Sequence, residues 1–220
     1  MIEVREVSTP AIKKAYDARS WLYSKIVAPR EHKYHLVAIE QANIKIGETI
    51  LEVAVGPGMT FIELAKKTGK DATIYGVDLS TSMLQLTRKR LENAGFSKVD
   101  LREADCRELP FENDTFDLLY NGYMLDLIPL NEFPHVIEEF KRVLKPGGRL
   151  VLLNTSKKDE SRTRLEALYQ TLPETIVLYV FGLCRPVLME QSVKDAGLEN
   201  VSRIYMDSTV SSEIVTAYKK

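Results

Sequence analysis

Cysteine is scarce in this chain of 220 residues, which has only Cys106 and Cys184. Two cysteines cannot form the disulfide framework typical of small secreted proteins, so we expect a reducing compartment. An excess of one charge is also lacking, because 30 Lys and Arg residues stand against 31 Asp and Glu residues. The balance gives the chain no general attraction for nucleic acid or for an anionic membrane, and we expect no nucleic-acid partner.

Long apolar segments are lacking as well. Residues 1–19 contain no apolar stretch typical of a secretory signal. The most apolar run, residues 176–184, is too short to cross a bilayer. We therefore expect a cytoplasmic protein without stable membrane insertion.

Histidine occurs three times, which is too few for most metal sites. His32 and His35 lie three residues apart, a spacing that places both on one helical face. No later Cys or His completes a zinc set at a usual spacing. We therefore expect no metal ion, and we expect this pair to lie on a solvated helix face.

What the sequence does contain, from residue 49 onward, is a regular alternation of β-rich runs with helical patterns. The alternation predicts a mainly parallel sheet with helices on both faces. The last two β-rich runs, residues 201–206 and 212–218, are separated only by a short polar loop and predict an antiparallel hairpin at one edge. The five earlier predicted strands cover residues 49–55, 73–77, 99–102, 116–120 and 149–154.

The chain is predicted to form one domain over residues 1–220. Its parts are an N-terminal helical lid (1–43), a ligand-binding core (44–156), a cap and helix (157–200) and the hairpin (201–220). Segments 16–41 and 157–189 return near the strand ends and are the predicted cap, although the second can also be an ordinary helix on the sheet. Aromatic residues that could line the cap are Tyr16, Trp21, Tyr23, Tyr34, Tyr179 and Phe181.

A glycine-bent loop and a following acid mark a candidate ligand site. Gly56 and Gly58 follow the first predicted strand, where the missing Cβ lets the backbone approach a ligand. Asp78 ends the next strand, where a carboxylate can accept hydrogen bonds from ribose hydroxyls. A helix cap is the alternative role for Asp78, but Ser82 with Gln85 already has the spacing of a capping box. Thr60 with Glu63 has that spacing too.

The nicotinamide-type loop is not matched, because no third glycine follows Gly58. Four spaced segments instead resemble the motifs of class I S-adenosylmethionine-dependent methyltransferases. The resemblance covers residues 44–156. It is strongest to the methyltransferase type 11, or ubiquinone/menaquinone C-methyltransferase, branch, which also contains bacterial phosphatidylethanolamine N-methyltransferases. The four segments are 50–58 (ILEVAVGPG), 77–80 (VDLS), 104–111 (ADCRELPF) and 144–150 (LKPGGRL).

The resemblance implies a Rossmann-like three-layer α/β sandwich with a mainly parallel seven-stranded sheet and an antiparallel edge hairpin. It also implies S-adenosyl-L-methionine as cofactor and methyl transfer to a small-molecule or lipid-like acceptor. Quinone-type C-methylation and phospholipid amine N-methylation both stay open. A non-catalytic module that binds the cofactor without turnover is the alternative.

The resemblance implies cofactor contacts at ten positions of this chain. Glu52 and the backbone of residues 54–58 would face the methionine part, and Asp78 would hold the ribose. Asp105 would accept the adenine amine. The ten positions are Glu52, Ala54, Gly56, Gly58, Asp78, Leu79, Met83, Asp105, Cys106 and Asn121. The family usually has glycine where this chain has Ala54.

No catalytic residue is evident, because methyl transfer depends mainly on alignment and needs a base only if the acceptor must lose a proton. Tyr123 and Asp126, shortly after the fourth predicted strand, are the candidates. Quinone C-methyltransferases commonly carry Gly-Leu-Arg-Asn there. This chain has Met-Leu-Asp-Leu at residues 124–127, without the arginine and the asparagine.

Overall fold

The computed structural model describes residues 8–161, 163–173, 176, 184–208 and 211–220. Within these residues one seven-stranded sheet has the order β3-β2-β1-β4-β5-β7-β6. Strands β1 to β5 run parallel, and β7 pairs antiparallel with both β5 and β6. The predicted parallel sheet and edge hairpin are thus confirmed. The strands are β1 (Ile50–Val53), β2 (Ile74–Asp78), β3 (Val99–Glu103), β4 (Phe116–Gly122), β5 (Leu144–Thr155), β6 (Glu199–Met206) and β7 (Ser212–Tyr218).

Helices cover both faces of the sheet. On one face α2, α3 and α4 contribute to a buried cluster, and on the other face α5 and α7 do so. A π-helical segment, Tyr23–Val27, joins α1 to α2. The helices are α1 (Thr9–Leu22), α2 (Ala28–Gln41), α3 (Met59–Thr68), α4 (Thr81–Ala94), α5 (Phe133–Val143), α6 (Arg164–Thr171) and α7 (Glu190–Asp195).

Both predicted capping boxes are wrong. Helix α3 starts from Gly58 in a left-handed conformation, with no side-chain cap. Helix α4 starts two residues earlier than predicted, because the Ser80 hydroxyl, not that of Ser82, accepts the N–H of Met83 at 3.2 Å. The chain turns immediately after β2, which ends at Asp78, so that Ser80, the serine nearer to the strand end, becomes the cap.

Candidate functional site

A cavity lies at the carboxyl ends of β1, β2 and β4, where ligands of parallel sheets bind. Part of its wall comes from the loops that follow β1, β2 and β3, and part comes from α1 and the segment after β4. The predicted cofactor residues Glu52, Gly58 and Asn121 are not in the wall. The structure brings the other seven together there: Ala54, Gly56, Asp78, Leu79, Met83, Asp105 and Cys106.

The loop after β1 uses left-handed backbone at three positions. The φ angles are 62° at Ala54, 54° at Gly56 and 80° at Gly58. Such a conformation costs a residue with a Cβ roughly 1–2 kcal/mol, whereas glycine adopts it readily. The glycine that the resembled family usually has at position 54 therefore meets a backbone requirement of this loop.

Replacing Ala54 by Gly is expected to raise the free energy of unfolding by about 1 kcal/mol, because the left-handed strain disappears. Thermal unfolding should show a melting temperature about 2–4 °C higher for a chain of this size. Ala94→Gly, in the last turn of α4, is the matched control and should lower stability by up to about 1 kcal/mol. A melting temperature that does not rise for Ala54→Gly would contradict the strain at residue 54.

Asp78 connects the glycine loop to the start of α4. One carboxylate oxygen accepts the N–H of Gly56 and the other accepts the N–H of Ser80, each at 2.8 Å. Burial raises the pKa of Asp78 to about 6, although these bonds oppose the rise. Each oxygen keeps a further lone pair, so the carboxylate can hold the loop and still accept ligand hydroxyls. The predicted ribose contact stays a prediction.

Asp105 lies in the cavity wall and is paired there with Arg107. The two side chains form a bidentate ion pair with contacts of 2.5 and 2.9 Å. Burial alone would raise the pKa of Asp105, but the hydrogen bonds from Arg107 outweigh it and hold the pKa below its usual value. Arg107 also donates to Glu132 at 2.9 Å and to Thr9 at 2.6 Å, so it links this loop to the lid. Burial raises the pKa of the Cys106 thiol to about 12, which keeps it protonated.

Two of the predicted residues outside the wall are buried with an unpartnered oxygen. Asn121 Nδ2 donates to the carbonyl of Val53 at 2.8 Å, and its Oδ1 has no hydrogen-bond partner. Glu52 Oε2 has none either, and burial, with repulsion from Asp78, raises the pKa of Glu52 well above its usual value. Buried polar atoms are usually paired, so these two oxygens are exceptions, and each residue directly precedes a residue of the cavity wall, Val53 or Gly122.

Helix α1 forms the lid of the cavity, with Thr9, Ile12, Lys13 and Tyr16 in its wall. The Asp17 carboxylate accepts from the Ser80 hydroxyl at 2.5 Å and from the N–H of Ser82 at 3.1 Å, which attaches the lid to the start of α4. Sequence reasoning missed Asp17, because an isolated acid in a polar helix carries no signal of a distant partner.

The predicted cap residues divide into those that reach the cavity and those that do not. Tyr16 and Tyr23 line it. Trp21 is 66% exposed, so its prediction as a cap-lining residue is wrong. Tyr34 is not in the wall either. In the second cap segment Tyr169 of α6 packs with Ala15 of α1, whereas Tyr179 and Phe181 lie outside the described residues.

Two carboxylates lie next to the tyrosines of the cavity. The Tyr23 hydroxyl donates to Glu31 Oε2 at 2.6 Å. Burial raises the pKa of Glu31 to about 7, with repulsion from Asp126 as a further cause. Asp126 is completely buried, and Thr155 and Arg185 lie close to its carboxyl group. Burial raises its pKa to about 6. Glu31 was missed by sequence reasoning, because its place on the inner face of α2 depends on packing.

The segment that carries both predicted catalytic residues is fixed from two sides. Tyr123, with a φ of 52°, lines the cavity, and its hydroxyl lies 2.9 Å from that of Ser212. The buried Arg185 donates to the backbone carbonyls of Asp126 at 2.8 Å and Ile128 at 2.7 Å. Asp126 itself is not in the cavity wall, although Met124 and Leu127 beside it are.

The prediction of a solvated face is wrong for His35. Its Nδ1 lies 2.8 Å from the Tyr120 hydroxyl, and its ring meets the Tyr123 ring edge-on at 5.4 Å. Burial, with repulsion from His32, lowers the pKa of His35 to about 3. The ring fits here because Gly122 has no Cβ, and a Cβ at that position would collide with His35 Cε1.

Replacing Gly122 by Ala is expected to lower the free energy of unfolding by about 1–3 kcal/mol, because the added methyl displaces the His35 ring. Chemical denaturation of the four proteins of a Gly122→Ala and His35→Ala double-mutant cycle measures the coupling. The cost of Gly122→Ala should be smaller in the His35→Ala background. If Gly122→Ala lowers the free energy of unfolding equally with and without the His35 ring, the added methyl does not collide with that ring.

A family model identifies the chain. The model of the ubiE/COQ5 methyltransferase family matches residues 2–182. This chain belongs to that family. Membership agrees with the resemblance found in the four sequence segments and with the seven-stranded sheet.

A curated relative agrees with this family assignment. The demethylmenaquinone methyltransferase of Bacillus subtilis (strain 168) is 34% identical over 147 residues, which cover 67% of this chain and 62% of that protein. The chain therefore spans less than two thirds of the length of this curated relative.

Solved structures share the fold at low identity. The [4+2]-cyclase SpnF has a TM-score of 0.78 and 17% identity, over 100% of this chain and 99% of its own. A Haemonchus contortus phosphoethanolamine N-methyltransferase 2, in complex with phosphomonomethylethanolamine and S-adenosylhomocysteine, has a TM-score of 0.73 and 18% identity, over 97% of this chain and 60% of its own. One of these neighbours is described as a cyclase, so the fold alone does not assign the reaction.

Among the residues that the structure describes, no three His, Cys, Asp or Glu side chains come together as a metal site requires. The helices in the described ranges include none that is long and apolar enough to cross a membrane.

Proposed function

We propose that this protein is an S-adenosylmethionine-dependent methyltransferase that acts on a small-molecule or lipid-like acceptor. One observation carries the proposal: seven of the ten residues that the family pattern assigns to the cofactor line one cavity with Tyr16, Tyr23 and Tyr123. The glycine loop and the acid after β2 give this cavity a cofactor side, and the lid tyrosines give it an acceptor side. Membership of the ubiE/COQ5 family supports the same activity.

The polar groups around the cavity fit a cationic cofactor without phosphate. S-adenosylmethionine carries a sulfonium and an ammonium group, and a cation bound nearby would lower the raised pKa of Glu52 and favour its carboxylate form. Asn121 Oδ1, which has no partner, would be a second acceptor beside the cavity wall. The cations in the wall are already paired, Lys13 with Glu103, and Arg107 with Asp105 and Glu132. Leu79 and Met83 provide the apolar surface for an adenine ring.

The chain's own residues would align the acceptor and hold its proton. The bound cofactor supplies an activated methyl group with a neutral leaving group, so most of the rate depends on alignment. Tyr16 and Tyr123 line the cavity and would bound the acceptor beside the methionine part of a bound cofactor. Asp126 and Glu31, with pKa values near 6 and 7, are matched to accept a proton near neutral pH. The Tyr23 hydroxyl connects the cavity wall to Glu31.

Two acceptor classes are compatible with the site. The curated relative is named a demethylmenaquinone methyltransferase, which favours a quinone-type acceptor that is methylated at carbon. The arginine of the Gly-Leu-Arg-Asn pattern is replaced here by the buried Asp126. An anionic side chain in place of a cation also suits an amine acceptor, as in the phosphoethanolamine N-methyltransferase neighbour.

Calorimetry and labelling together test the proposal. The protein should bind S-adenosylmethionine or S-adenosylhomocysteine, and no binding at millimolar concentration would overturn it. Extracts incubated with the protein and isotopically labelled S-adenosylmethionine should contain a species that gains the label in mass spectrometry. Binding without transfer to any acceptor would favour the non-catalytic module instead.

A further inference from the structure

The outer surface of the lid differs from the rest of this nearly neutral chain. Between residues 14 and 37, the exposed positions recur at three- and four-residue steps along α1, the π-helical segment and α2. The exposed side chains are Lys14, Ala18, Trp21, Leu22, Lys25, Ile26, Pro29, Arg30, Lys33, Leu36 and Val37. Large apolar residues and cations alternate on this surface, which we call the outer lid face.

The outer lid face has no acid. The two acids of this segment both point inward, because Asp17 binds the start of α4 and Glu31 accepts from Tyr23. The next exposed acid, Glu40, lies beyond the face and is paired with Lys67 at 2.7 Å. The outer lid face therefore carries four exposed cations, although the net charge of the whole chain is only -1.

We propose that the outer lid face docks on the surface of an anionic phospholipid bilayer. Exposed Trp and Leu side chains interspersed with Lys and Arg are the combination that binds at the boundary of lipid headgroups and acyl chains. The long Lys and Arg side chains reach the phosphates while the apolar side chains enter the interface. The charge of the face is complementary to an anionic lipid surface.

Docking here would place the bilayer beside the cavity. Tyr16 and Tyr23 line the cavity from the same helical segment whose opposite side carries Trp21 and Lys25. One helix diameter, about 10 Å, separates the two sides. A lipid-like acceptor would then need to move only past the lid, but the docking itself does not depend on methyl transfer.

Trp21 makes the test direct, because it is the chain's single tryptophan and is 66% exposed. Titration with vesicles of phosphatidylcholine containing phosphatidylglycerol should shift its fluorescence to shorter wavelength, and brominated lipid should quench it. Vesicles of phosphatidylcholine alone should have a much smaller effect, and added salt should weaken binding. No shift and no co-sedimentation with the anionic vesicles would overturn the proposal.

Variants inside and outside the outer lid face test whether this face, and not another part of the surface, binds the vesicles. Lys25→Glu with Arg30→Glu should lower the vesicle partition coefficient at least about tenfold, because each cation near an anionic surface contributes to binding. Lys89→Glu, an exposed cation on α4, and Ile46→Ser, an apolar side chain 88% exposed outside the face, are matched controls that should bind as the wild type does.

Two outcomes would contradict the docking of lipid on the outer lid face. A fluorescence shift that depends on protein concentration without lipid would assign it to a second copy of the chain. Equal vesicle binding by the charge-reversed variant would assign the binding to another surface. S-adenosylmethionine binding, measured on the same samples, reports on the proposed enzyme function separately, since none of these side chains lines the cavity.

Discussion

Replacing Asp126 by Asn is expected to lower kcat roughly 10²–10⁴-fold, the usual effect of losing a general base, with cofactor affinity nearly unchanged. The carboxylate is completely buried beside Met124 and Leu127 of the cavity wall, and its pKa of about 6 suits it to take up a proton that the acceptor releases. Because the base must be ionised, the wild-type rate should rise with pH through about pH 6, and the variant should lose that rise. Steady-state kinetics over this pH range measures both effects.

Glu132→Gln is the matched control for the rate, because Glu132 is a carboxylate of the cavity wall that is already paired with Arg107. Its kcat should fall far less. An Asp126→Asn variant with wild-type kcat would exclude Asp126 as the base and leave Glu31 to be tested in the same way.

Stability should respond in the opposite direction to activity. The pKa of Asp126 is raised from 3.8 to about 6 in the folded protein, so folding favours the protonated form. The wild type should therefore lose on the order of 3 kcal/mol relative to Asp126→Asn as pH rises from about 4 to above 6. Urea unfolding at these pH values would measure the difference. A constant difference would show that the carboxyl is not buried in this way.

Replacing Asp78 by Ala is expected to weaken S-adenosylmethionine binding by about 3 kcal/mol, more than a hundredfold in Kd. The variant loses the predicted ribose hydrogen bonds. It also releases the N–H groups of Gly56 and Ser80, which the carboxylate holds in place in the wild type. Isothermal titration calorimetry measures the loss.

Asp100→Ala is the matched control for affinity, because that carboxylate lies on the neighbouring strand β3 and is paired with Arg102. Its Kd for the cofactor should stay at the wild-type value. A wild-type affinity for Asp78→Ala would remove Asp78 from the binding site.

The fold could be predicted from the sequence because its determinants are local. Alternating strand and helix patterns fixed the parallel sheet, and the short polar loop before residue 212 fixed the edge hairpin. Helix starts were less predictable, since Ser80 and Ser82 are both competent caps. Which serine caps α4 depends on the turn after Asp78, where that carboxylate accepts the N–H of Ser80.

The cofactor side of the site could be predicted from family motifs, whereas the acceptor side could not. Asp17 and Glu31 acquire their roles from residues on other elements or other turns, and no spacing in the sequence records those partners. His35 was expected in solvent because its burial depends on the absence of a side chain at Gly122, on a distant strand. Contacts of this kind exist only after the chain has packed.

The attachment of the lid through Asp17 has a kinetic consequence. The carboxylate accepts the N–H of Ser82 in the first turn of α4, so the lid cannot lift without depriving that amide of its partner. When the open amide exchanges faster than the lid closes, as at high pH, the exchange of the Ser82 amide with deuterated solvent therefore reports the rate of lid opening. If product leaves by this route, that opening rate sets an upper limit on turnover.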